Sequence, residues 1–459
     1  MKTRHHITSI KNRITQRRRN LKIQGVVEGV KEGWKMVHIW GAPYERGYAH
    51  GALLHKELTE VFRIFPFVVE KEFKTSYEEY LNTSNQYIYP IVKDKFPEFY
   101  EELRGIAQGY KRGNTSSVVT IKRLIAWNAY MSLFSLYKEG GSERCSAFIS
   151  TSNGNIVMAH NTHTDFVSGA LFNIILRITP QKDSSSRGSS FRMQTAAGLI
   201  SSITDWFICS NGLIGCETTI SAINYRPTFG ENGYPLFCRI RQAMQYAQTL
   251  DDMTETLLDR NAGDYACSWL FGDTRTGEIM RFEIGHKIHS IERTTNGIFY
   301  GMNSAVDWNL RELETNDMGA NDMATSSGSR SYRLYSLLNP VGKTFNAPTP
   351  IDAKYAKRIM GDHYDEYVGK TKKGHRSICR HTELESTPIG SRHAHYPFGT
   401  IDAKVVTTKM AEKMEFWGLW GSGCGHRDFH AADFVQSHPE YKEYANFLPN
   451  LPNRKWAVV

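Results

Sequence analysis

The sequence predicts a mixed α+β protein in which helices cover sheets, with a helix-rich segment before a strand-rich one. Two patterns carry this prediction. Before Cys145, apolar residues such as Leu54, Leu58 and Phe62 recur at helical spacing. After Cys145, short apolar runs bounded by turn residues alternate with further amphipathic segments. Because strands and helices both recur there, sheets covered by helices fit better than an all-β sandwich.

The segment before Cys145 is predicted to be mostly helical. Residues 24–40 have the pattern of an extended lead-in, and the Gly/Pro-rich residues 41–51 then turn the chain into an amphipathic helix. Further helices are expected over residues 76–110 and 118–138. We accordingly divide the chain into a basic arm over residues 1–24, a helical light-chain segment over 25–144 and a catalytic heavy-chain segment over 145–459.

Strand signals become frequent from Cys145 onward. Residues 145–149 and 155–159 are short apolar runs joined through a Ser-Asn-Gly turn, which predicts a β-hairpin. Residues 181–191 and 314–329, rich in Ser, Gly, Asn and Asp, are expected to be loops. The other periodic segments predict strands over 171–178, 213–223, 268–272, 279–284 and 297–302, and helices over 235–248, 251–259, 330–338 and 351–361.

The composition is that of a globular chain. Of its 459 residues, 40% are hydrophobic and 12% aromatic, which is enough to build a sizeable core. No apolar run approaches the roughly 20 residues that a membrane-spanning helix needs. The N-terminus lacks the apolar centre of a secretory signal. The compartment is left open, with an intracellular location favoured.

Much of the net charge of +9 lies in residues 1–22, which contain eight Lys or Arg and no acidic residue. Apolar residues at helix-like spacing run through this arm, so it could form a basic amphipathic helix in weak contact with a membrane or polyanion, or act as a transit peptide. A solvated tail fits equally well. The rest of the sequence has no Gly-rich phosphate loop or basic–aromatic alternation, so no specific nucleic-acid partner is predicted.

The seven cysteines are scattered and contain no CxxC pair, which predicts neither a zinc site nor a dense disulfide framework. Most are expected to be buried apolar residues. Cys379, which follows Ser377 and Ile378 in a predicted strand, is assigned to the core on this ground.

Cys145 differs because of its flanking sequence. It follows a flexible polar approach that begins at Gly140 and Gly141 and ends at Arg144, and it opens an apolar run. If the Arg144–Cys145 bond is cut, Cys145 gains an α-amine with a reference pKa of about 7.7 to 8, which can take the thiol proton near neutral pH. The sequence therefore predicts a masked N-terminal nucleophile at Cys145, with Arg144–Cys145 as the cleavage site.

Four segments, in this order and spacing, resemble the peptidase C45 family of self-cleaving acyltransferases and hydrolases typified by isopenicillin N acyltransferase. They are residues 41–51, residues 103–109, Cys145-Ser146-Ala147, and residues 377–381. A second, overlapping resemblance is to the phospholipase B-like proteins, which share the Cys-Ser-Ala start and a His-Asn-Thr segment, here residues 160–162. Both groups are N-terminal nucleophile hydrolases.

The resemblance implies a four-layer αββα sandwich with a mostly helical pro-segment. It also implies that the precursor cuts itself before Cys145 and that the light and heavy chains stay associated. The mature Cys145 sulfur would attack the carbonyl of a small acyl amide or acyl ester, and the acyl group would pass to water or to an acceptor amine or alcohol. No cofactor is implied.

The resemblance also nominates partners for Cys145. The side-chain amide of Asn303, at a strand end, is the implied oxyanion donor, and a backbone N–H near His163 is a second. His160 and His163, just after a predicted strand, could polarise a carbonyl, orient the thiol or shuttle a proton, or could be hydrogen-bonded structural imidazoles. Two close histidines would also suit a metal, but no third ligand is evident and no metal site is predicted.

The chain departs from both groups at one position. The C45 pattern has an aspartate, and the phospholipase B-like proteins a tryptophan, where this chain has His163. Asp165 is the candidate replacement for the carboxylate, and Asn161 of the His-Asn-Thr segment is a further substrate-binding candidate. The departure argues against transferring either group's substrate unchanged.

Arginines after residue 329 are candidates for reading a substrate carboxylate or phosphate, because guanidinium groups bind such anions bidentately. Arg330 and Arg333 begin a predicted helix, and Arg392 follows Ser391 where the acyltransferases have a substrate-side Ser-Arg pair. Ordinary ion-paired arginines are the alternative.

Two functional classes stay open at this stage. The first is a self-processed amidase or acyltransferase, with a lipid acyl-ester hydrolase like the phospholipase B-like proteins as its alternative. The second is a non-catalytic relative that uses the fold as a binding or structural module with the basic arm as its anchor. The retained Cys145 and its Gly-Gly approach disfavour the second.

Overall fold

The computed structural model describes residues 22–459, except residues 115–117, 138–143, 182–187, 203–205, 318, 340–349, 391 and 426–427. The predicted basic arm, up to residue 21, lies outside the described residues. So do Gly140, Gly141, Ser391 and most of the predicted loop at 181–191. Within the described part of the chain, no helix is both long and apolar enough to cross a membrane.

The strands are short and follow one another mainly after residue 144. In chain order they are β1 (Gly25–Lys31), β2 (Trp34–Gly41), β3 (Cys145–Ser152), β4 (Asn155–Asp165), β5 (Ile174–Pro180), β6 (Phe191–Thr195), β7 (Trp206–Cys209), β8 (Leu213–Thr219), β9 (Cys267–Asp273), β10 (Glu278–Ile284), β11 (His289–Thr294), β12 (Gly297–Gly301), β13 (Tyr364–Asp365), β14 (Lys370–Thr371), β15 (Phe398–Thr407), β16 (Trp417–Trp420) and β17 (Ala457–Val458).

The helices are concentrated before residue 138. In chain order they are α1 (Pro43–Leu53), α2 (His55–Val68), α3 (Tyr77–Tyr87), α4 (Tyr89–Lys95), α5 (Pro97–Gly113), α6 (Ile121–Asn128), α7 (Tyr130–Tyr137), α8 (Phe166–Gly169), α9 (Leu236–Tyr246), α10 (Leu250–Leu258), α11 (Trp308–Glu314), α12 (Ser326–Leu338), α13 (Ala353–Met360), α14 (Thr408–Ala411) and α15 (Ala431–Ser437). A π-helical turn at Val69–Phe73 and 3₁₀ turns at Thr382–Leu384 and Pro439–Tyr444 complete the set.

Two large sheets organise the molecule. Among the described residues, one has nine strands in the order β1-β2-β5-β6-β7-β8-β9-β10-β11, and the other has six in the order β12-β3-β4-β15-β16-β17. The strand β2 pairs parallel with β5. The N-terminal hairpin β1–β2 therefore completes a sheet whose other strands come from beyond Cys145.

Strand β3 shows how the two sheets face each other. Ala147 and Ile149 pack into the core that includes the nine-stranded sheet, whereas Phe148 packs into a second core. This is the alternation expected of a strand buried on both faces. A Cβ on Gly272 of β9 would lie 3.2 Å from Ile149 Cδ1, so β9 crosses directly over β3. Cys145 lies two residues before Ala147 in the same strand, so its side chain points to the same side, toward the nine-stranded sheet.

Helices cover the sheets on the sides that face away from each other. The second core lies between the six-stranded sheet and the helices α12 and α13, which contribute Leu334 and Ile359. On the other side, Trp127 of α6 donates its indole N–H to the carbonyl of Ala197, just after β6, at 3.0 Å. The predicted mixed α+β class with helix-covered sheets is confirmed.

The N-terminal lead-in differs from its prediction. Residues 24–40 do not form one extended segment but the hairpin β1–β2, which turns at Glu32 and Gly33. Both turn residues have positive φ, +47° and +86°, as a two-residue hairpin turn of the primed type requires. Glu at the first position is an unusual choice for this turn, which is why the sequence did not reveal it.

The predicted long helices are shorter than expected. The segment 76–110 forms α3, α4 and α5, with breaks at Ile88 and Phe96. Pro90 and Pro97 occupy the first turn of α4 and α5, where the missing N–H of proline costs nothing. Segment 118–138 likewise forms α6 and α7. The other predicted elements after residue 200, apart from the strand expected around Cys379, are found within a few residues of their expected positions.

Strand β4, which carries several of the candidate site residues, is longer than predicted. It does not end at Ala159 but continues to Asp165, because residues 157–165 pair with β15. The polar segment from His160 to Asp165 therefore lies inside a sheet rather than in a loop, and all of it is buried.

Candidate active site

Cys145 is the first residue of β3, between β12 and β4. It pairs with Thr162 of β4, and its side chain is 4% exposed. It lines a cavity of about 20 Å³ together with Tyr130, Glu217 and Tyr265. Such a cavity can hold about one water. Among the residues that the structure describes, the cavity beside Cys145 is thus too small for an acyl group.

The backbone of Cys145 is held from two sides. Its N–H donates to Oδ1 of Asn303 at 3.2 Å, and its carbonyl oxygen accepts from Nη1 of Arg330 at 2.6 Å. Arg330 also donates from Nη2 to the same Asn303 oxygen at 2.9 Å. Asn303 and Arg330 thus form one connected support around the residue predicted to be the nucleophile.

Asn303 comes two residues after the end of β12. It lies near the start of β3 because β12 and β3 pair antiparallel with Gly301 opposite Ala147. Its φ of +82° lies in the left-handed region, which asparagine tolerates better than most residues. Its side-chain NH₂ donates to the carbonyl of Thr219 at 2.9 Å. The structure therefore turns the acceptor oxygen, not the predicted oxyanion donor, toward Cys145 in the uncleaved chain.

Arg330, a predicted substrate-binding residue, makes its polar contacts within the protein. It is fully buried in α12 and donates to the hydroxyl of Ser146 at 3.0 Å and to the carbonyl of Ser326 at 3.1 Å, besides its bonds to Cys145 and Asn303. A buried guanidinium spanning these groups positions the start of β3.

The other two candidate arginines also have structural contacts. Arg333 forms a bidentate ion pair with Asp362 at 2.8 and 2.7 Å. Arg392 lies over the ring of Phe398, with its guanidinium carbon 4.0 Å from the ring centre. The predicted anion-reading role for these residues has no support in these contacts.

The His160/His163 pair is divided by the sheet. Residues three apart in a strand point to opposite faces, and His160 donates from Nε2 to the carbonyl of Glu217 on the nine-stranded sheet at 2.9 Å. His163 donates from Nε2 to the carbonyl of Ile378 at 3.1 Å, on the other face. The two imidazoles therefore do not converge on one point, and a catalytic role for either histidine stays a prediction.

Both imidazoles are neutral. Burial, helped by Lys404 for His160 and by Arg380 and Arg330 for His163, holds the pKa of each well below its usual range. Each ring therefore donates one N–H and carries no charge near neutral pH. His160 fits the alternative of a hydrogen-bonded structural imidazole, whereas His163 is also one of the residues that line the Cys145 cavity.

Asn161 and Asp165 do not line the small cavity beside Cys145. Asn161 donates from Nδ2 to the carbonyls of Met360 and Ile378, at 2.8 and 3.1 Å. Asp165 caps α8 by accepting from the backbone N–H of Ser168 at 2.7 Å. Burial and the nearby Glu72 raise the pKa of Asp165. These contacts brace β4 and its neighbours, and the substrate-binding role of the two residues stays a prediction.

Arg144, on the other side of the predicted cleavage site, is itself a cavity wall. It is 8% exposed, and its guanidinium donates to the hydroxyl of Thr164 at 3.1 Å and lies 5.0 Å from the ring centre of Phe134. The residue before the scissile bond thus fills part of the space beside Cys145.

Three polar side chains near Cys145 were not found by sequence reasoning. The hydroxyl of Tyr265 donates to Oε1 of Glu217 at 2.9 Å, and both residues line the cavity. Lys404, fully buried, donates to the hydroxyl of Thr162 at 2.7 Å and pairs with Asp402 at 2.6 Å. Their sequence neighbours show no motif, and only the strand order brings them to Cys145.

A larger cavity, of about 510 Å³, opens at the opposite end of β3, where Ser150, Tyr300 and Tyr335 line it. Cys145 does not line it. Because chemistry depends on reach to the nucleophile, the small cavity is the candidate site.

Cys379 is buried as predicted but does not lie in a strand. The segment 372–380 is irregular, and Sγ of Cys379 lies 3.5 Å from Nε2 of His381. It is therefore part of a polar cluster rather than of an apolar strand core.

A family model described as phospholipase B matches residues 20–281, more than half of the chain. The chain belongs to the phospholipase B family. This confirms the resemblance seen in the Cys-Ser-Ala and His-Asn-Thr segments. The match includes Cys145 and β4 and ends before Asn303 and Arg330.

Among its phospholipase B family relatives, the sequence is 25% identical over 318 residues to phospholipase-B 81 of Drysdalia coronoides, covering 64% of this chain and 55% of that protein. It is 24% identical over 346 residues to a phospholipase B of Crotalus adamanteus, covering 72% and 57%. The chain spans about half the length of the curated relatives it matches. Two variants of conjugated bile acid hydrolase from Clostridium perfringens align at a TM-score of 0.33 and 10% identity, covering 60% of this chain and 88% and 89% of theirs.

Proposed function

We propose that the chain is an acyl hydrolase that cuts itself between Arg144 and Cys145 and then uses Cys145 as an N-terminal nucleophile. The observation that carries this proposal is the bond from the Cys145 N–H to Oδ1 of Asn303. An α-amine released at the same position would already have its acceptor in place. Arg330, bound to both the Cys145 carbonyl and Asn303, keeps this geometry rigid.

The proposed first reaction is an acyl shift followed by hydrolysis. The Cys145 sulfur attacks the carbonyl carbon of Arg144, the C–N bond breaks, and a thioester to sulfur forms while the nitrogen takes a proton. One water then cleaves the thioester, leaving a carboxylate on Arg144 and both a free thiol and a free α-amine on Cys145. The small cavity beside Cys145 has room for that water.

The proposed turnover uses the same sulfur on an external substrate. The α-amine of Cys145, with a reference pKa of about 7.7 to 8, takes the thiol proton, and the thiolate attacks an acyl carbonyl. The leaving alcohol or amine takes up that proton as it departs, and water then hydrolyses the acyl-enzyme thioester and releases the carboxylic acid. Arg144 must leave the cavity first, since its side chain occupies part of that space. Activity would therefore depend on cleavage.

The substrate class we propose is an acyl ester of a lipid. It rests on family membership and on relatives described as phospholipase B. An acyl amide is the second class, because the same thioester chemistry cleaves both bonds.

We further infer that the two large sheets and their covering helices form the αββα sandwich of N-terminal nucleophile hydrolases, and that the fragments stay together after cleavage. The pairing of β2 with β5 supports the second inference, because these strands lie on opposite sides of the cleavage site.

The test is a hydrolysis assay with mature protein. Fatty acid release from a diacyl phospholipid, a lysophospholipid and an N-acyl amide is compared among the wild type, Cys145→Ala and Cys267→Ala. Cys267 is a matched control, since it is also buried and also begins a strand. We expect Cys145→Ala alone to abolish release. Equal release by the wild type and Cys145→Ala, or none from any substrate by cleaved wild type, would refute the proposal.

A further inference from the structure

Four potential metal ligands meet outside the candidate active site. His363 follows α13, Cys379 and His381 lie in the next irregular segment, and Cys424 follows β16. Their ligand atoms all lie within 4.8 Å of one another. No two of these residues have a sequence spacing that is standard for zinc ligands. The fold therefore brings the set together.

Three of the six distances between the ligand atoms fit a tetrahedron around one ion. Nε2 of His381 lies 3.2 Å from Nε2 of His363, 3.5 Å from Sγ of Cys379 and 3.8 Å from Sγ of Cys424. Tetrahedral zinc with ordinary bond lengths separates two nitrogens by about 3.3 Å and a nitrogen from a sulfur by about 3.6 Å. The observed edges match both values within a few tenths of an ångström.

The ring of His381 is oriented as a metal ligand requires. Its Nδ1 lies 3.1 Å from Oε1 of Glu383, which as a carboxylate accepts a hydrogen bond there. Nε2 is then left with a lone pair aimed into the cluster. A carboxylate behind a ligating histidine is the usual arrangement that fixes the tautomer.

Burial distinguishes the two halves of the cluster. Cys379 and His381 are 0% and 2% exposed, whereas His363 and Cys424 are half-buried. The buried half sets the geometry, and the half-buried side gives an ion a way in. Two sulfurs with two imidazoles select zinc over the oxygen-seeking cations.

We propose that His363, Cys379, His381 and Cys424 bind one Zn²⁺ as a structural site. Binding replaces the thiol protons of the two cysteines, which are released. Four protein ligands leave no open position, which is typical of a structural rather than a catalytic zinc.

The proposed zinc fastens the segment that supports β4. The carbonyl of Ile378, next to Cys379, accepts from both His163 and Asn161. The carbonyl of Met360, shortly before His363, accepts from Asn161 as well. Gly423, next to Cys424, lies so close that a Cβ there would come within 2.5 Å of the Met360 oxygen. The ion would hold these segments against the outer face of the sheet that carries Cys145.

The test is zinc content of the full-length protein, purified without chelators and with added Zn²⁺ followed by gel filtration. We expect one zinc per chain in the wild type, and loss of zinc in His363→Ala and Cys424→Ser. The controls His393→Ala, an exposed histidine, and Cys267→Ala should keep it. Cys145→Ala should keep it too, so this test is independent of the proposed nucleophile.

Cobalt substitution of the wild type covers the case in which the ligand variants do not fold. Bound Co²⁺ should give the intense visible bands of a tetrahedral site with thiolate ligands, and Zn²⁺ should displace them. Wild-type protein that stays substoichiometric in zinc and shows no such bands would overturn the proposal. So would a Cys379–Cys424 disulfide found by peptide mapping in freshly purified protein.

Discussion

Asn303 and Arg330 hydrogen-bond to the backbone of Cys145, so in the proposed mechanism their side chains would act through its position. The Cys145 N–H is buried and its acceptor is Oδ1 of Asn303 at 3.2 Å. A buried donor that loses its acceptor costs about 1–3 kcal/mol, and a reaction that depends on that geometry slows accordingly. These two residues are therefore positioning residues in the proposed mechanism.

Asn303→Leu should slow self-cleavage by about 10- to 100-fold, because an isosteric side chain without an acceptor leaves the Cys145 N–H unpaired. Asn303→Asp, which keeps an acceptor oxygen, should cleave faster than Asn303→Leu. Time courses of fragment formation by gel electrophoresis measure both rates. Asn296→Leu, an exposed asparagine just before β12, serves as control. Cleavage of Asn303→Leu at the wild-type rate would show that the contact has no role.

His50 should make stability depend on pH in a predictable direction. It is fully buried, its Nε2 accepts from the N–H of Gly198 at 2.8 Å, and burial lowers its pKa to about 4. Because the unfolded histidine has a pKa of about 6.5, the unfolded state binds more protons between these values, and lowering the pH favours unfolding.

His50→Gln keeps an acceptor but cannot take up a proton in this range. Relative to this variant, the wild type should lose up to about 1.4 kcal/mol of unfolding free energy per pH unit as the pH falls from about 6 toward 4. Urea unfolding of both proteins at several pH values measures the difference. Parallel curves would contradict a neutral buried His50.

The helices α1 and α5 cross at backbone contact, and this explains two of the family-like motifs at the level of elements. A Cβ on Gly47 would lie 2.0 Å from the carbonyl oxygen of Glu102, and one on Gly51 would lie 2.1 Å from that of Ile106. Gly105 and Gly109 on α5 approach α1 as closely. Residues 41–51 and 103–109 thus share one structural requirement, which is space for the facing backbone.

Gly51→Ala should destabilise the protein by about 3 kcal/mol, because the added methyl group can be accommodated only by separating the helices. Gly188→Ala is the matched control, since a Cβ there would meet side chains only at 3.6 Å or more. Both glycine substitutions are made in the Cys145→Ala protein, which should stay uncleaved, and thermal unfolding is compared among the three proteins. An equal, small effect of both substitutions would mean that α1 and α5 do not pack as closely as described.

Sequence periodicity predicted most helices and strands, but it did not show that strand β4 continues through a polar segment. The strand β4 runs on through six polar residues because each finds a buried partner, such as Ile378 for His163, and local patterns cannot show a partner 215 residues away. The same reason hides the support of Cys145, whose contacts Asn303 and Arg330 are 158 and 185 residues distant. The prediction for Cys145 itself could be made from the sequence because its signal is local, in the flanking residues.

Across the whole molecule, the two sides of the predicted cleavage site share one interior. Glu102, from before the site, pairs with Arg241, from beyond it, at 2.9 Å, and both are fully buried. Arg46 pairs with the same carboxylate at 2.6 Å. The two arginines outweigh the desolvation of Glu102 and lower its pKa to about 2. Separating the two parts would leave these charges in apolar surroundings or expose the core.

The fragments produced by cleavage should therefore stay associated. Cleaved wild type should elute from gel filtration at the volume of uncleaved Cys145→Ala, and the fragments should separate only in concentrated guanidinium. Native mass spectrometry gives an independent reading. Separate elution of the fragments in native buffer would show that β1–β2 and the N-terminal helices do not depend on the later strands.

The central claim is that Cys145 becomes an N-terminal residue, and intact-mass analysis with N-terminal sequencing tests it most directly. Freshly purified wild type should give two masses, corresponding to chains that end at Arg144 and begin at Cys145, and sequencing should read Cys-Ser-Ala-Phe from the second. Cys145→Ala should remain one chain, while Cys267→Ala is cut like the wild type. A folded wild-type protein that stays intact, or one cut at another bond, would contradict the account.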